Sequence, residues 1–224
     1  MNKCTNILID SNYIGNVATG VYAYQSQTIQ VKSNQMKNMT GPLWRGQFVQ
    51  FNSVTGGGNV VGYNKCENIQ GESNCEDGIS IYNSSGLSTD PINIIGNWLR
   101  GGGPSTTGSG ITLGDQGGSY IVAQNNIIVN TGYIGMHVAG GTNIQMLNNT
   151  IYSGAFAWSH LGLGSGNYSG KVSSNITISG NKVNWNPINI YYQAGSVMPT
   201  GWGTNVSNAA ISASVLPTTL IDFH

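Results

Sequence analysis

Apolar and polar residues alternate in short runs along this chain, and many of the runs turn on an asparagine. In "NITISGNKV" (175–183), Ile176, Ile178 and Val183 surround Asn181. "NIQMLNNTI" (143–151) repeats the arrangement around Asn149, and "PINIIGNWL" (91–99) around Asn97. With the asparagine as zero, apolar residues stand at −5, −3 and +2. The template also fits at Asn12, Asn34 and Asn126, and in part at Asn64, where Asn59 fills the −5 slot. Successive anchors lie 22, 30, 33, 29, 23 and 32 residues apart. Repeats of this length indicate a solenoid.

Period-two alternation puts −5 and −3 on one face of a strand. A corner at −2 to 0 then returns +2 to the same interior. Asparagine suits such a corner because it tolerates a left-handed backbone and its amide bonds locally. The amides of Asn97, Asn126, Asn149 and Asn181 are expected to point into the wall and stack. Between anchors lie further strands: "GVYAY" (20–24), "GQFVQF" (46–51), "DGISIY" (77–82), "GITLG" (110–114), "GMHVA" (135–139), "LGLG" (161–164) and "PINIYY" (187–192). Each repeat supplies about three short strands, none placed to form a hairpin with its neighbour. The reading is all-β, a right-handed parallel β-helix of about seven rungs over residues 1–192. Residues 193–224 leave the repeat and are expected to pack on the last rung through Val215, Leu216, Leu220 and Ile221. An antiparallel sandwich is the runner-up, but it needs turn signals every 8–12 residues. No helical periodicity of useful length is present.

Composition narrows the partners. Charged residues make up 7% of the 224, and eight basic groups balance eight acidic ones. That balance argues against a phosphate-tracking surface, so no nucleic acid is expected. No apolar run approaches the ~20 residues of a membrane span. The opening "MNKCTNILID" does not read as a signal peptide. Of the cysteines, Cys66 falls in an inward slot, so buried free thiols are expected in place of a Cys66–Cys75 bridge.

"GPLWRGQFVQF" (41–51), "GESNCEDGISIYNSSG" (71–86) and "GSGITLGDQGGSYIVAQNNIIVNTGYIGMHVAGGTNIQMLNNTIYSG" (108–154) resemble right-handed β-helix proteins of the pectate-lyase-like superfamily. The likeness runs from about residue 4 to 185 and is greatest to β-helix members among secreted bacterial proteins and phage tail spikes. It implies an extracellular or virion-surface protein that meets polysaccharide. The superfamily includes lyases, hydrolases, epimerases and non-catalytic adhesins, so the resemblance leaves activity open.

"NCEDGISI" is the segment most suggestive of catalysis, with Glu76 and Asp77 before a strand and Glu72 nearby. Paired carboxylates supply an acid and a base for glycoside hydrolysis, or a Ca²⁺ site for uronate elimination. No other cofactor and no metal-ligand motif is read. A bland alternative carries more weight: aligning Val49 with Ile79 puts Arg45 beneath Glu76, where it would form a structural ion pair. Polygalacturonase-type hydrolases bring aspartates from successive rungs, whereas the rung above here offers Ser109. Arg100 and Asp115 fall in insertions from which either could approach the carboxylates. His137 lies outward in a row Ser80, Thr112, His137, Gly162, and a solvated position is expected for it. His160 carries the same expectation. "GDQGG" (114–118) reads as a tight corner.

Aromatics give the binding argument. Trp98 takes an outward slot one rung above Lys65, and Tyr152 and Trp158 take outward or insertion positions. Flat rings with polar edges suit sugar faces, and subunit contact is the competing use. The expected function is therefore a polysaccharide-binding module of a spike, fibre or adhesin. A polysaccharide-cleaving enzyme using Glu76 and Asp77, and a structural segment of an oligomeric filament, are the alternatives. The first rung, from Ile7, has only Met1 to Asn6 to shield it. Contact with another chain, a homotrimer by preference, or a larger parent chain is expected there.

Overall fold

A computed structural model describes residues 1–103 and 105–222. Pro104, within the "GGGPSTTGSG" insertion, and the tail's Phe223 and His224 lie outside them. The chain winds as an all-β parallel solenoid of about six turns, close to the seven rungs expected. Every strand pair in it runs parallel, each to the strand one repeat away. Among the described residues the helical content is three short 3₁₀ turns, Tyr168–Gly170, Trp202–Thr204 and Ala213–Val215. No helix among the described residues is long and apolar enough to cross a membrane.

Three faces bound the coil. The first runs from Thr5–Asp10 through Gln27–Lys32 and Ile92–Ile95 to Ser173–Ser179. Its register aligns Ile92 with Ile121, Ile121 with Ile144 and Ile144 with Ile176. These isoleucines and their −3 partners fill the interior, Ile29, Ile92, Ile121 and Ile144 with no exposure. Ile7, at the open first rung, is only partly buried. At the third rung Asn59 takes the isoleucine's place, buried, with Oδ1 accepting the Ile29 N–H at 2.9 Å and Nδ2 donating to Thr55 and Gly56 carbonyls. The third face, from Tyr13–Val17 to Val206–Ser207, carries the +2 residues Met36, Cys66, Leu99, Ile128, Ile151 and Val183 inward. Cys66 and Cys75 are free and buried, and burial pushes both thiols well above their usual range.

The asparagines form one column. Asn34, Asn64, Asn97, Asn126, Asn149 and Asn181 are buried. Each donates its backbone N–H and its Nδ2 to the Oδ1 of the next. Nδ2 also donates to a carbonyl of the rung below, as Asn126 does to Ile94. Asn64 is a full member despite its imperfect template, and Asn205 extends the column beyond Asn181. The left-handed residue, however, is the one before the asparagine: Ser11, Ser33, Tyr63, Gly96, Asn125, Asn148 and Gly180 all have φ between 54° and 69°. The ladder asparagine keeps a negative φ, and its side chain enters the wall because its predecessor makes the turn.

The tail divides. Thr200 bridges to Thr177, Trp202 packs against the core and Val206–Ser207 pairs with Lys182–Val183, so residues 200–207 do cover the last rung. Beyond Ser212 the chain instead descends the outside of the third face. Leu216, Leu220 and Ile221 bury themselves on Val129, with Trp98, Ile127 and Tyr152 alongside. Arg100 Nη2 donates to the carbonyls of Ala213 and Leu216, Glu67 accepts the N–H groups of Leu220 and Ile221, and Lys37 Nζ donates to the Ile221 carbonyl. The last rung is already covered by Trp202, and the apolar row Trp98–Ile127 on the flank offers the remaining tail side chains a dry surface.

Candidate functional site

The second face carries the site. Its strands are Val21–Tyr24, Val49–Asn52, Ile79–Ser85, the start of Ser109–Gln124, Ile134–Val138, Leu161–Ser165 and Ile188–Tyr192. Val21–Tyr24 follows Gly20, and the four successive strands after Val49–Asn52 are entered through Gly78, Gly110, Gly135 and Gly162. A Cβ on any of these four would lie 2.5–2.6 Å from a carbonyl oxygen of the next rung, so no side chain fits. The chain can therefore swing tightly into each strand. Of the residues just before these glycines, Asp77, Ile134 and Leu161 line surface hollows, and Ser109 holds Asp77.

The larger hollow, of about 450 Å³, is lined by Glu76, Asp77, Asp115 and His137 on its floor and sides, with Trp44, Tyr133 and Tyr168 around them. Thr106, Thr107 and Thr112 add hydroxyls. A second hollow of about 350 Å³ shares Tyr133, Ile134 and Tyr168 with the first and continues past His160 to Tyr191. Together they form a groove along the axis of the coil.

Glu76 is buried, each carboxylate oxygen accepting a hydroxyl proton at 2.6 Å, Oε2 from Ser105 and Oε1 from Thr107. Both donors come from the "GGGPSTTGSG" insertion, which closes over this rung. Asp77 is half-buried, and its Oδ1 accepts the Ser109 N–H at 2.9 Å and the Thr112 hydroxyl at 2.8 Å. Burial raises its pKa to about 7, helped by the charges of Glu76 and Asp115 and opposed by those two hydrogen bonds. Burial also raises the pKa of Asp115. His137 shares a 3.1 Å hydrogen bond between Nδ1 and the Ser109 hydroxyl, and Tyr168 packs edge-on against its ring at 5.6 Å. Burial lowers its pKa to about 4, so the ring is neutral at physiological pH.

Four of the nine residues singled out in the sequence, Glu76, Asp77, Asp115 and His137, thus meet in one hollow. The row through His137 is displaced by one pleat from expectation: Thr112 pairs with His137, and His137 with Gly164 in place of Gly162, because inward Met136 matches Leu163. His137 is also buried where solvent was expected, since Tyr168 folds over it.

The other five lie elsewhere. Arg45 does sit beneath Glu76, its carbonyl accepting the Glu76 N–H at 3.1 Å. Its guanidinium turns instead to the Tyr22 ring, 4.8 Å away, and to Gln50 Oε1 at 3.1 Å. The expected ion pair is replaced because Ser105 and Thr107 already satisfy Glu76. Arg100, Trp98 and Tyr152 belong to strands of the third face beneath the descending tail. Lys65 does lie over the Trp98 ring, at 5.5 Å. Trp158 stacks on Phe156 and closes over Gly103, outside both hollows. Asp115, expected in an insertion, is part of the strand Ser109–Gln124 at a register shift, and the "GDQGG" corner is bulged into that strand. Glu72 accepts from Asn38, outside both hollows.

The donor set does not suit calcium. Glu76, Asp77 and Asp115 border one hollow, yet among the described residues no three acidic, histidine or cysteine side chains converge as a metal site. Glu76 moreover already accepts a hydroxyl on each of its oxygens. Trp44, Tyr133, Tyr168, Ser105 and the threonines escaped the sequence reading, although Thr112 was legible as the neighbour of His137 in its row. No family model matches the chain, and no curated protein or solved structure matches it significantly.

Proposed function

We propose that the groove on the second face binds a polysaccharide. The observation that carries this reading is the juxtaposition, along one groove, of exposed Trp44 and Tyr191 and half-buried Tyr133 and Tyr168 with fixed polar groups. Trp44 is 72% exposed, and Tyr133, Tyr168 and Tyr191 border the same two hollows. Rings of this kind pack on the apolar faces of sugars, while Thr106, Asp77 and Asp115 supply polar groups to bond sugar hydroxyls. Such a role suits a spike, fibre or adhesin segment outside a cell or on a virion, the setting that the β-helix resemblance implies. Ile7, Ile9 and Ile14, only partly buried on the first rung, and Leu8, exposed on its flank, support the further expectation that another chain meets this part of the rod, a homotrimer by preference.

Asp77 favours a second reading, cleavage of the bound chain by hydrolysis. A carboxyl with a pKa of about 7 still carries its proton near neutrality, as a general acid requires. In that scheme Asp77 gives its proton to the glycosidic oxygen as the C1–O bond breaks. Water adds to C1, and Asp115 takes up the proton that the water releases. Ser109 and Thr112 hold the acid in place.

The test uses the full chain on a panel of bacterial and plant polysaccharides, with binding, reducing ends and the absorbance of unsaturated uronates all followed. Binding that is lost on Trp44→Ala and Tyr168→Ala supports the first reading. New reducing ends that vanish in Asp77→Asn establish the second. A panel bound no better by the native chain than by the Trp44→Ala variant would remove both.

A further inference from the structure

Among the described residues the groove holds three carboxyl groups, Glu76, Asp77 and Asp115, and no cation. The chain has eight lysines and arginines, and none of them lines either hollow. Lys37, Lys65 and Arg100 lie on the third face, engaged with the tail, Glu67 or Trp98. Lys182 is on that face as well, Lys32 is on the first, and Lys3 precedes the first strand. Lys171 ends the turn that carries Tyr168, but it is exposed beside Gly140 and lines neither hollow. Arg45 stands nearest in sequence to the groove, beside Trp44, but its guanidinium is turned onto Tyr22 and Gln50.

Recognition of a uronate or sulfated chain needs a fixed cation, or a metal, opposite each buried anionic group. The groove offers the reverse. A carboxylated sugar entering it would bring its charge beside Glu76, Asp77 and Asp115 in partly dehydrated surroundings, where like charges repel most strongly. A sugar carrying only hydroxyls meets no such penalty. Its faces find Trp44, Tyr133 and Tyr168, and its hydroxyls donate to the carboxylates or accept from the threonines. The row from Ser80 through Thr112, His137 and Gly164 to Tyr191 spans four rung steps. At ~4.8 Å each these make roughly 19 Å, room for several sugars in line.

We infer that the ligand of this groove is a neutral glycan segment, and that the three carboxyl groups exclude acidic polysaccharides. This rests on the polysaccharide-binding reading above and narrows it to one chemical class.

Calorimetric titration of the full chain at pH 8 and low salt tests it. The probes are the hexasaccharides of xylan, cellulose, mannan and galactan, set against hexagalacturonate and hexamannuronate. At least one neutral probe is expected to bind about tenfold or more tighter than either uronate. Asp115→Asn is expected to narrow that gap by strengthening uronate binding. Uronates that bind as well as or better than every neutral probe would overturn the inference and leave the polysaccharide reading standing. Binding of neither class would remove the reading and the inference together. A gap that Asp115→Asn leaves unchanged would also count against exclusion by charge.

Discussion

Asn126 places both its backbone N–H and its side-chain Nδ2 on a single atom, Oδ1 of Asn149, at 2.9 and 3.0 Å. Asn149 passes the same pair of bonds to Asn181 and sends Nδ2 back to the Ala123 carbonyl. Replacing Asn149 by Leu would therefore leave the buried Asn126 N–H without its acceptor and take one bond each from Asn126 Nδ2, the Ala123 carbonyl and Asn181 Oδ1. Each buried group left unsatisfied costs ~1–3 kcal/mol. Urea unfolding should show a loss well above that of Asn167→Ala, which removes only the bond from the Ser173 N–H. Equal losses would mean that the column adds no stability.

Ile144 lies between Ile121 and Ile176 and has no exposure. Truncation to Ala deletes packing on both neighbours in a coil too narrow to collapse around the gap. The expected cost is ~2–5 kcal/mol, read from the same unfolding curve. A loss near that of a surface substitution would place Ile144 outside the core.

These two residues also mark what the sequence made legible. Strand alternation and a recurring asparagine are periodic signals, and they located the inward isoleucines, the parallel register and the column. Glu76 and Asp77 were found because they sit beside a strand start. The site walls were not found, for a physical reason. Tyr168 reaches His137 from an excursion between rungs, and Ser105 and Thr107 reach Glu76 from another, so neither obeys the repeat. The same gap produced the wrong partner for Arg45: its alignment under Glu76 was sound, but backbone register does not dictate where a long side chain turns.

Asp77 and His137 give the fold opposed pH responses. The folded pKa of Asp77, about 7, lies above its ordinary 3.8, so between those values the folded state binds the extra proton and stability falls as pH rises. His137 has a folded pKa of about 4 against an ordinary 6.5, so there the unfolded state binds the extra proton and stability rises with pH. From about pH 4 to 6.5 the two slopes cancel. Asp77→Asn should therefore yield a protein whose Tm climbs across that range. His137→Gln should yield one whose Tm declines from pH 4 to about 7. Identical profiles in both variants would refute the assignment.

The descending tail depends on Glu67, which is buried and accepts two backbone N–H groups at 3.0 and 3.3 Å with Lys37 Nζ 3.8 Å away. Hydrogen bonds to a charged group contribute about 1.5–3 kcal/mol. Glu67→Gln should loosen the tail without unwinding the coil. Limited proteolysis should then cut within residues 212–222 faster than in the native chain, with Trp98 fluorescence moving toward that of exposed indole. Cleavage spread evenly along the coil would show instead that the tail and coil unfold as one unit.

The asparagine column has a polarity. Every amide in it faces the same way, its oxygen toward the N-terminal rung and its nitrogen toward the C-terminal one. Aligned dipoles add along an axis, so the rod is vectorial even though its net charge is zero. Two rods meeting by their first rungs would set oxygen against oxygen, while at the other end residues 200–207 close the coil and Asn205 Oδ1 takes the donors of Asn181. A symmetric end-to-end dimer is thus electrostatically disfavoured. Closed symmetric assembly therefore falls to the sides of the rod.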